Sequence, residues 1–411
     1  MQLYWHYRYL VLLIRRLRKS LWNIVNSCMI KQWRVVRNLS KMIAQGQTIG
    51  IIGGGQLGQM LAFSAKSAGF RVLILDPNPD CSAGQVSDDQ IVAEYENISA
   101  IEELAARSDV LTYEFENVDL EALEDVTKVV SVPQGTKLLA ITKDRLNEKN
   151  FLADNELKVT PFAAINSLTD LKTEIKKFGY PAVLKTCQGG YDGKAQLVLR
   201  DATDIANAPE LIKQGQCILE DWVAFSKEIS VMVARNVDGE VSFFPVSENI
   251  HRNQILHESI VPARISDALQ EKAQAMAEKI AIKINLCGIL GVEMFVGEDG
   301  ELYVNELAPR PHNSGHYSIE ACNFSQFDMH NRAICNWPMP KIELLKPVVM
   351  VNILGQHVDG AAKLVAEKPQ WNFHDYGKGN VRNDRKMGHI TILTDNIEET
   401  LSEIKKTKVW D

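Results

Sequence analysis

The stretch Thr48–Asp76, TIGIIGGGQLGQMLAFSAKSAGFRVLILD, leaves a chain few ways to fold. An apolar run enters three glycines, and Leu57, Met60, Leu61 and Ser64 then share one helical face before Gly69 and a second apolar run. That pattern predicts a strand, a glycine turn, a helix from about Gln56 to Ala68 and a second strand. A third unit follows, with a helix over Ile101–Arg107 and a strand over Val110–Tyr113 ending in YEFENV. Gly53, Gly55 and Gly58 fit GxGxxG, and Asp76 closes the second strand 21 residues past Gly55. Taken alone this is a dinucleotide fingerprint, in which glycines admit phosphate to a helix N-terminus and the acid holds a ribose. A glycine turn closing an ordinary βαβ unit fits the same residues, and the motif by itself does not choose.

At 411 residues the chain is too long for one core, so two or three domains are expected. The net charge of −7 is unevenly spread. Residues 1–41 hold nine Lys/Arg and no acid, and the rest holds 36 basic against 52 acidic residues, a net of −16. Such a body has no electrostatic footprint for nucleic acid. Seven cysteines without a CxxC pair read as reduced thiols, which points to the cytoplasm. The apolar run Leu10–Ile14 is too short to cross a bilayer, and no cleavage site follows it. An organellar presequence or a membrane-surface helix fits residues 1–41. The plainer expectation is that residues 1–46 are an extension outside the working protein, with translation starting at Met42.

Three later stretches carry chemistry. In YPAVLKTCQGGYDGKAQLVLR a strand over Ala182–Thr186 carries Lys185, a loop with Gly189, Gly190 and Gly193 follows, and a strand over Gln196–Arg200 returns. Such a loop can close backbone amides over phosphate, with Lys185 as a point charge, and a plain glycine-rich hairpin has the same composition. It is not a P-loop, because Ala195 follows Lys194 and a strand follows both. CGILGVEMFVGEDGELYVNEL predicts a hairpin turning on Asp299-Gly300. A two-residue loop there pairs Glu298 with Glu301 and, counting outward, Glu293 with Glu306. Opposed carboxylates repel, and a divalent cation beside phosphate resolves the repulsion, while a solvated acidic hairpin in another register fits the same residues. Finally, NELAPRPHNSGH sets Arg310, His312 and Asn313 on a loop stiffened by Pro309 and Pro311. The guanidinium fork suits a small planar anion such as a carboxylate, and a histidine can handle a proton near neutral pH.

These stretches, in this order, resemble the ATP-grasp superfamily and, within it, the 5-(carboxyamino)imidazole ribonucleotide synthase family. The matching segments are GIIGGGQLGQM, YEFENV, QGGYDGKAQ, EDWV with Glu228 beyond it, ENIHRNQILHESIVPA, GVEMFV, NELAPRPHNSGH and YGKGNVRNDRKMGH. They span roughly residues 47–400. Ala195 departs from the family, which usually has a glycine there.

The resemblance implies an α/β protein with three parts after the extension. They are a Rossmann-like domain over 47–144, a two-lobed ATP-grasp domain over 145–340 and a β-rich C-terminal domain over 347–411. It implies an ATP- and bicarbonate-dependent ligase that carboxylates 5-aminoimidazole ribonucleotide through carboxyphosphate, in de novo purine biosynthesis. Arg145 and Lys185 would face the ATP phosphates under a lid of Gln188, Gly189, Gly190, Tyr191, Asp192, Gly193 and Lys194. The Glu220 carboxylate would accept the adenine amine, beside Asp221, Trp222 and Val223. Glu228 would hold the ribose, with His251 and Asn305 also against ATP. Glu293 and Glu306 would hold Mg2+, or Mn2+. Gly55, Gln56, Leu57 and Glu114, with Tyr191 and Asp192, would meet the ribonucleotide, and Lys378, Arg385 and Lys386 its 5′-phosphate. Arg310, His312 and Asn313 would serve bicarbonate, and His316 stays outside the site. A homodimer that passes its product to a mutase is implied as well. The alternatives are another ATP-grasp carboxylate–amine ligase or phosphoribosyl transformylase and, resting on GxGxxG alone, an NAD-dependent oxidoreductase.

Overall fold

A computed structural model describes residues 42–116, 118–189 and 195–411. The stretch 1–41 and the lid residues Gly190, Tyr191, Asp192, Gly193 and Lys194 lie outside the described residues. Gln45–Asp411 belong to one compact unit.

The βαβ pattern folds as read. β1 (Thr48–Ile52), β2 (Arg71–Leu75), β3 (Asp89–Ile91) and β4 (Val110–Tyr113) form a parallel sheet in the order β3-β2-β1-β4, with the helix Gln56–Ser67 joining β1 to β2. The order reverses between β1 and β4. The crevice beyond the carboxyl ends of those two strands is where open sheets of this kind take ligands, and Gly53–Gly55 and Glu114 stand there.

A second, antiparallel sheet of β5 (Phe162–Ile165), β6 (Ala182–Thr186), β7 (Gln196–Leu199) and β8 (Cys217–Asp221) runs β5-β8-β6-β7. Residues 222–224 then lead into a nine-stranded antiparallel sheet. Its strands are β9 (Phe225–Arg235), β10 (Val241–Phe243), β11 (Ser247–Arg252), β12 (Ile255–Val261), β13 (Gly288–Gly297), β14 (Leu302–Ala308), β15 (Val348–Leu354), β16 (Asn372–Asp375) and β17 (Lys386–Leu393). The order is β14-β13-β9-β11-β12-β15-β17-β16, with β10 on β9. The C-terminal strands therefore extend the large sheet, through Glu258↔Val351 to Val261↔Val348, instead of forming a sheet of their own. They still bury a separate small core of Val349, Val351, Trp371, Ile390 and Ile392.

The β13–β14 hairpin pairs Glu293 with Glu306 as expected, but by a different route. Gly297 N donates to Glu301 O (2.9 Å), so the loop holds three residues, with Gly300 at φ +76° where a side chain would be strained. That longer loop shifts the register by one, to Val296↔Leu302 and Met294↔Val304, and a bulge at Asn305 shifts it back before Glu293↔Glu306. Two residues now oppose one, so Asn305 and Glu306 both face away from the core while Val304 and Leu307 are buried in it.

Candidate active site

The bulge turns an amide and a carboxylate to one side of β14, opposite Glu293. Burial, and then the Glu306 carboxylate beside it, push the Glu293 carboxyl up to about 7. Among the described residues no cluster of three or more His, Cys, Asp or Glu could hold a metal. What the site offers is two carboxylates and an amide, hard oxygen donors whose mutual repulsion a divalent cation would relieve. That set fits Mg2+ filling its other positions with water and phosphate oxygens.

The loop after β14 closes over this pair. His312 Nε2 lies 3.0 Å from Glu293 Oε1. Nδ1 accepts from Ser314 N (3.4 Å) and sits 2.8 Å from Ser314 Oγ, so the proton is on Nε2 and points at the carboxylate. Burial, helped by the Arg310 charge, pulls the His312 pKa well below the ordinary histidine value. The expectation that His312 handles a proton near neutral pH meets a buried ring whose charged form is disfavoured. Behind it runs a buried chain, from Ser314 Oγ to Ser230 Oγ (2.6 Å) and from there to Asn249 Nδ2 (3.0 Å). Arg310 points one arm at Glu116 Oε1 (2.9 Å), and burial raises the pKa of that acid against the pull of Arg310. Asn313 and Asn352 exchange amide hydrogen bonds of 3.0 and 2.7 Å, which leaves Asn313 one donor for an anion.

The glycine turn is held from both sides. Gly54 N donates to Asp76 Oδ2 (2.7 Å) and Gly55 N to Glu114 Oε1 (2.8 Å). Tyr95 Oη also donates to Asp76 Oδ2 (2.6 Å), and Asp76 is buried. The ribose-binding role of a dinucleotide fingerprint is thereby corrected, because Asp76 is a clamp on its own loop. A side chain at Gly54 would meet Cys81 Sγ at 2.3 Å and Asp76 at 2.8 Å. Leu57 is buried, so only its main chain can serve a ligand, whereas Gln56 is half-exposed at the helix start. Burial pushes the Glu114 carboxyl up to about 7, with the Gly55 amide, Arg310 and Lys378 opposing.

On the other lobe Lys185 Nζ is 2.6 Å from Glu220 Oε2, and the fully buried Lys149 Nζ is 3.5 Å from Glu220 Oε1. Both oxygens of Glu220 are occupied, and the side chain is buried. The expectation that this carboxylate takes the adenine amine meets a side chain that is buried and already holds two lysines, so the hinge main chain is better placed to meet a base. Trp222 and Val223 follow in the strand-to-strand crossing, Trp222 exposed and Asp221 accepting from its amide (2.9 Å). His251 Nδ1 lies 3.0 Å from Glu228 Oε2. Burial pulls the His251 pKa down, but Glu228 and then Glu293 more than offset it, and the net direction is upward. Asp144 caps the helix Arg145–Asp154 and receives Gln188 Nε2 (3.1 Å), and Ala195 takes φ +61°, a conformation that suits glycine. Gly189, at φ +80°, opens the lid loop on its described side.

The basic segment splits into two duties. Lys378 Nζ donates to Lys386 O (2.8 Å) and its charge bears on Glu114. Arg385 Nη1 donates to Asn380 O (2.5 Å), and Gly377 O receives Gln85 Nε2 (3.1 Å), tying this loop to the parallel-sheet domain. The Lys386 charge bears on Glu293, His251 and His312, so it lies toward the carboxylate pair.

Sequence reasoning missed Glu116, Lys149, Asn249, Ser230 and Ser314. For Lys149 a signal existed, a lysine three residues before Leu152 on the buried face of its helix. The serines carry none, because a buried hydroxyl looks like any other serine until its partners converge.

Three family models match in succession: a ribonucleotide synthetase preATP-grasp domain over 46–143, an ATP-grasp domain over 150–327 and a phosphoribosylaminoimidazole carboxylase C-terminal domain over 348–403. The N5-carboxyaminoimidazole ribonucleotide synthase of Bacillus subtilis is 48% identical over 374 residues, covering 90% of this chain and 97% of that protein. The ADP complex of an N5-carboxyaminoimidazole ribonucleotide synthetase superposes with a TM-score of 0.88 at 51% identity, over 90% of this chain and 98% of that one. The Aspergillus clavatus enzyme in complex with ADP and 5-aminoimidazole ribonucleotide superposes with a TM-score of 0.83 at 32% identity, over 89% of this chain and 98% of that one.

Proposed function

The chain belongs to the N5-carboxyaminoimidazole ribonucleotide synthase family of ATP-grasp ligases, and from that membership we infer that it carboxylates 5-aminoimidazole ribonucleotide in purine biosynthesis. ATP and bicarbonate are consumed, and ADP and phosphate are released. The observation that carries this reading is the position of the Arg310–Asn313 loop against the Glu293–Glu306 pair, with Lys386 charging the same spot from β17.

In this account a bicarbonate oxygen attacks the γ-phosphorus, ADP leaves and carboxyphosphate forms. Mg2+, held by Glu293 and Glu306 with Asn305 beside it, would neutralise charge on the phosphoryl oxygens. Arg145 and Lys185 serve the phosphates, with Gln188 and Gly189 beside them, and Glu228 and His251 serve the ribose side. The remaining guanidinium donors of Arg310, the remaining donor of Asn313 and the Nε2–H of His312 hold the bicarbonate. The exocyclic amine of the ribonucleotide then attacks the carboxyl carbon, and phosphate departs with its bonding pair. The amine proton needs a base other than His312, whose Nε2 already carries a proton. The leaving phosphate is such a base. Gly55, Gln56, the Leu57 main chain and Glu114 position the ribonucleotide, and Lys378, Arg385 and Lys386 hold its 5′-phosphate.

We place the enzyme in the cytoplasm as a homodimer that passes its product to a mutase. No helix among the described residues is long and apolar enough to cross a membrane. Phosphate release measured with ATP and bicarbonate, with and without 5-aminoimidazole ribonucleotide, tests the acceptor. Release that requires the ribonucleotide is the expected result. Release driven by a different amine or carboxylate, with the ribonucleotide inert, would favour another ATP-grasp ligase or a transformylase.

A further inference from the structure

Glu220 ends β8 with two lysines on one carboxylate, and the two differ in kind. Lys185 reaches it at 2.6 Å from β6 and keeps 18% of its side chain exposed. Lys149 lies 3.5 Å from the other oxygen with 2% exposed. Its ammonium is boxed in by Thr160 Oγ1 and Val304 O, both at 3.3 Å. The buried Glu148 also bears on Lys149, but less than Glu220 does, so the second ammonium is buried chiefly at a carboxylate that one cation already neutralises. Burial does pull the Lys149 pKa down, with Glu220 holding it up.

The second lysine has a use if the first one leaves. A Lys185 that moves to nucleotide phosphates abandons Glu220, and a buried carboxylate stranded without a partner would hold it back. We propose that Lys185 is parked on Glu220 in the nucleotide-free protein and passes to the phosphates when ATP binds, while Lys149 stays and keeps Glu220 compensated. This rests on the reading of the cleft as an ATP site. Lys149 is then a positioning residue that touches no substrate. It also sits where the lobes meet, since Val304 belongs to β14 of the large sheet and Glu220 to β8 of the small one. The exchange therefore turns on a fixed point.

The test is calorimetric binding of ATP and of adenosine, which has no phosphate for Lys185, to three full-length proteins: wild type, Lys149→Met and Lys149→Met/Glu220→Gln. The single variant should bind ATP about tenfold or more weakly, because Lys185 is trapped on an otherwise unpaired acid, yet bind adenosine within about twofold of wild type. The double variant has no carboxylate to strand and should regain ATP affinity to within about threefold of wild type. Equal losses for ATP and adenosine, an unchanged ATP affinity, or a double variant no better than the single would each overturn the proposal. Should Lys149→Met fail to fold, the double variant decides alone: folded and binding ATP near wild-type affinity supports the exchange, folded and binding it poorly refutes it. Wild type that binds neither ligand would overturn the nucleotide reading itself.

Discussion

Glu114 shows how much one side chain holds in this site. Its Oε1 receives Gly55 N, and burial lifts its pKa from 4.5 to about 7. Because the folded value exceeds the unfolded one, the folded protein keeps a proton that the unfolded chain has lost between those two pH values. The stability this contributes is whole below about 4.5 and gone above about 7. Glu114→Gln keeps the acceptor and cannot ionise. Its stability relative to wild type should rise with pH across that window, by at most about 3 kcal/mol, as read from denaturant melts, and a flat difference would contradict the assignment. Glu306 makes the catalytic claim at the same scale. Glu306→Gln removes half of the carboxylate pair from an exposed position, so the fold should persist while ADP formation falls by at least about a hundredfold. Near-normal turnover would remove the metal assignment. For the acceptor phosphate, Arg385→Ala should raise the KM for the ribonucleotide strongly and leave that for ATP nearly unchanged. The opposite pattern would move this loop to the nucleotide.

Among the elements, the β13–β14 hairpin teaches most about what a sequence discloses. Asp299-Gly300 marks the turn, and the Glu293–Glu306 pairing follows from counting outward, yet the loop is one residue longer and Asn305 bulges to compensate. Two departures cancel, because burying Val304 and Leu307 in one core forces the two residues between them outward together. Apolar spacing V-x-x-L in a strand was the readable signal. It predicts that Asn305→Ala leaves stability within about 0.5 kcal/mol, since the half-exposed amide packs against nothing the core needs, while the KM for ATP rises. A large loss of stability would mean that the amide, not the core, holds the bulge. The parallel sheet was legible for the ordinary reason that its helix and strands have clean periods. What stayed hidden were partnerships fixed by distant strands: Asp76 with Gly54 and Tyr95, Glu220 with two lysines, His312 with Ser314 and Ser230. Residue type allowed each of these several roles, and only folding chose one.

Across the whole molecule, three segments far apart in sequence supply one crevice. The glycine turn and Glu114 come from the parallel sheet, the carboxylate pair and the Arg310–Asn313 loop from the large sheet, and Lys378 to Lys386 from its C-terminal strands. Pairing β15 on β12 makes this convergence rigid, because the loop from Lys378 to Lys386 rides on the same sheet as Glu293. The family resemblance located these residues, and their chemistry explains why they must meet: a carboxyphosphate has to form within reach of the amine it carboxylates. The most direct measurement is therefore isotopic. With bicarbonate labelled at oxygen by 18O, and with ATP and 5-aminoimidazole ribonucleotide present, phosphorus NMR should show one labelled oxygen in the released phosphate, carried there by attack of bicarbonate on the γ-phosphate. Phosphate released free of label, with water as the source of its new oxygen, would contradict the account.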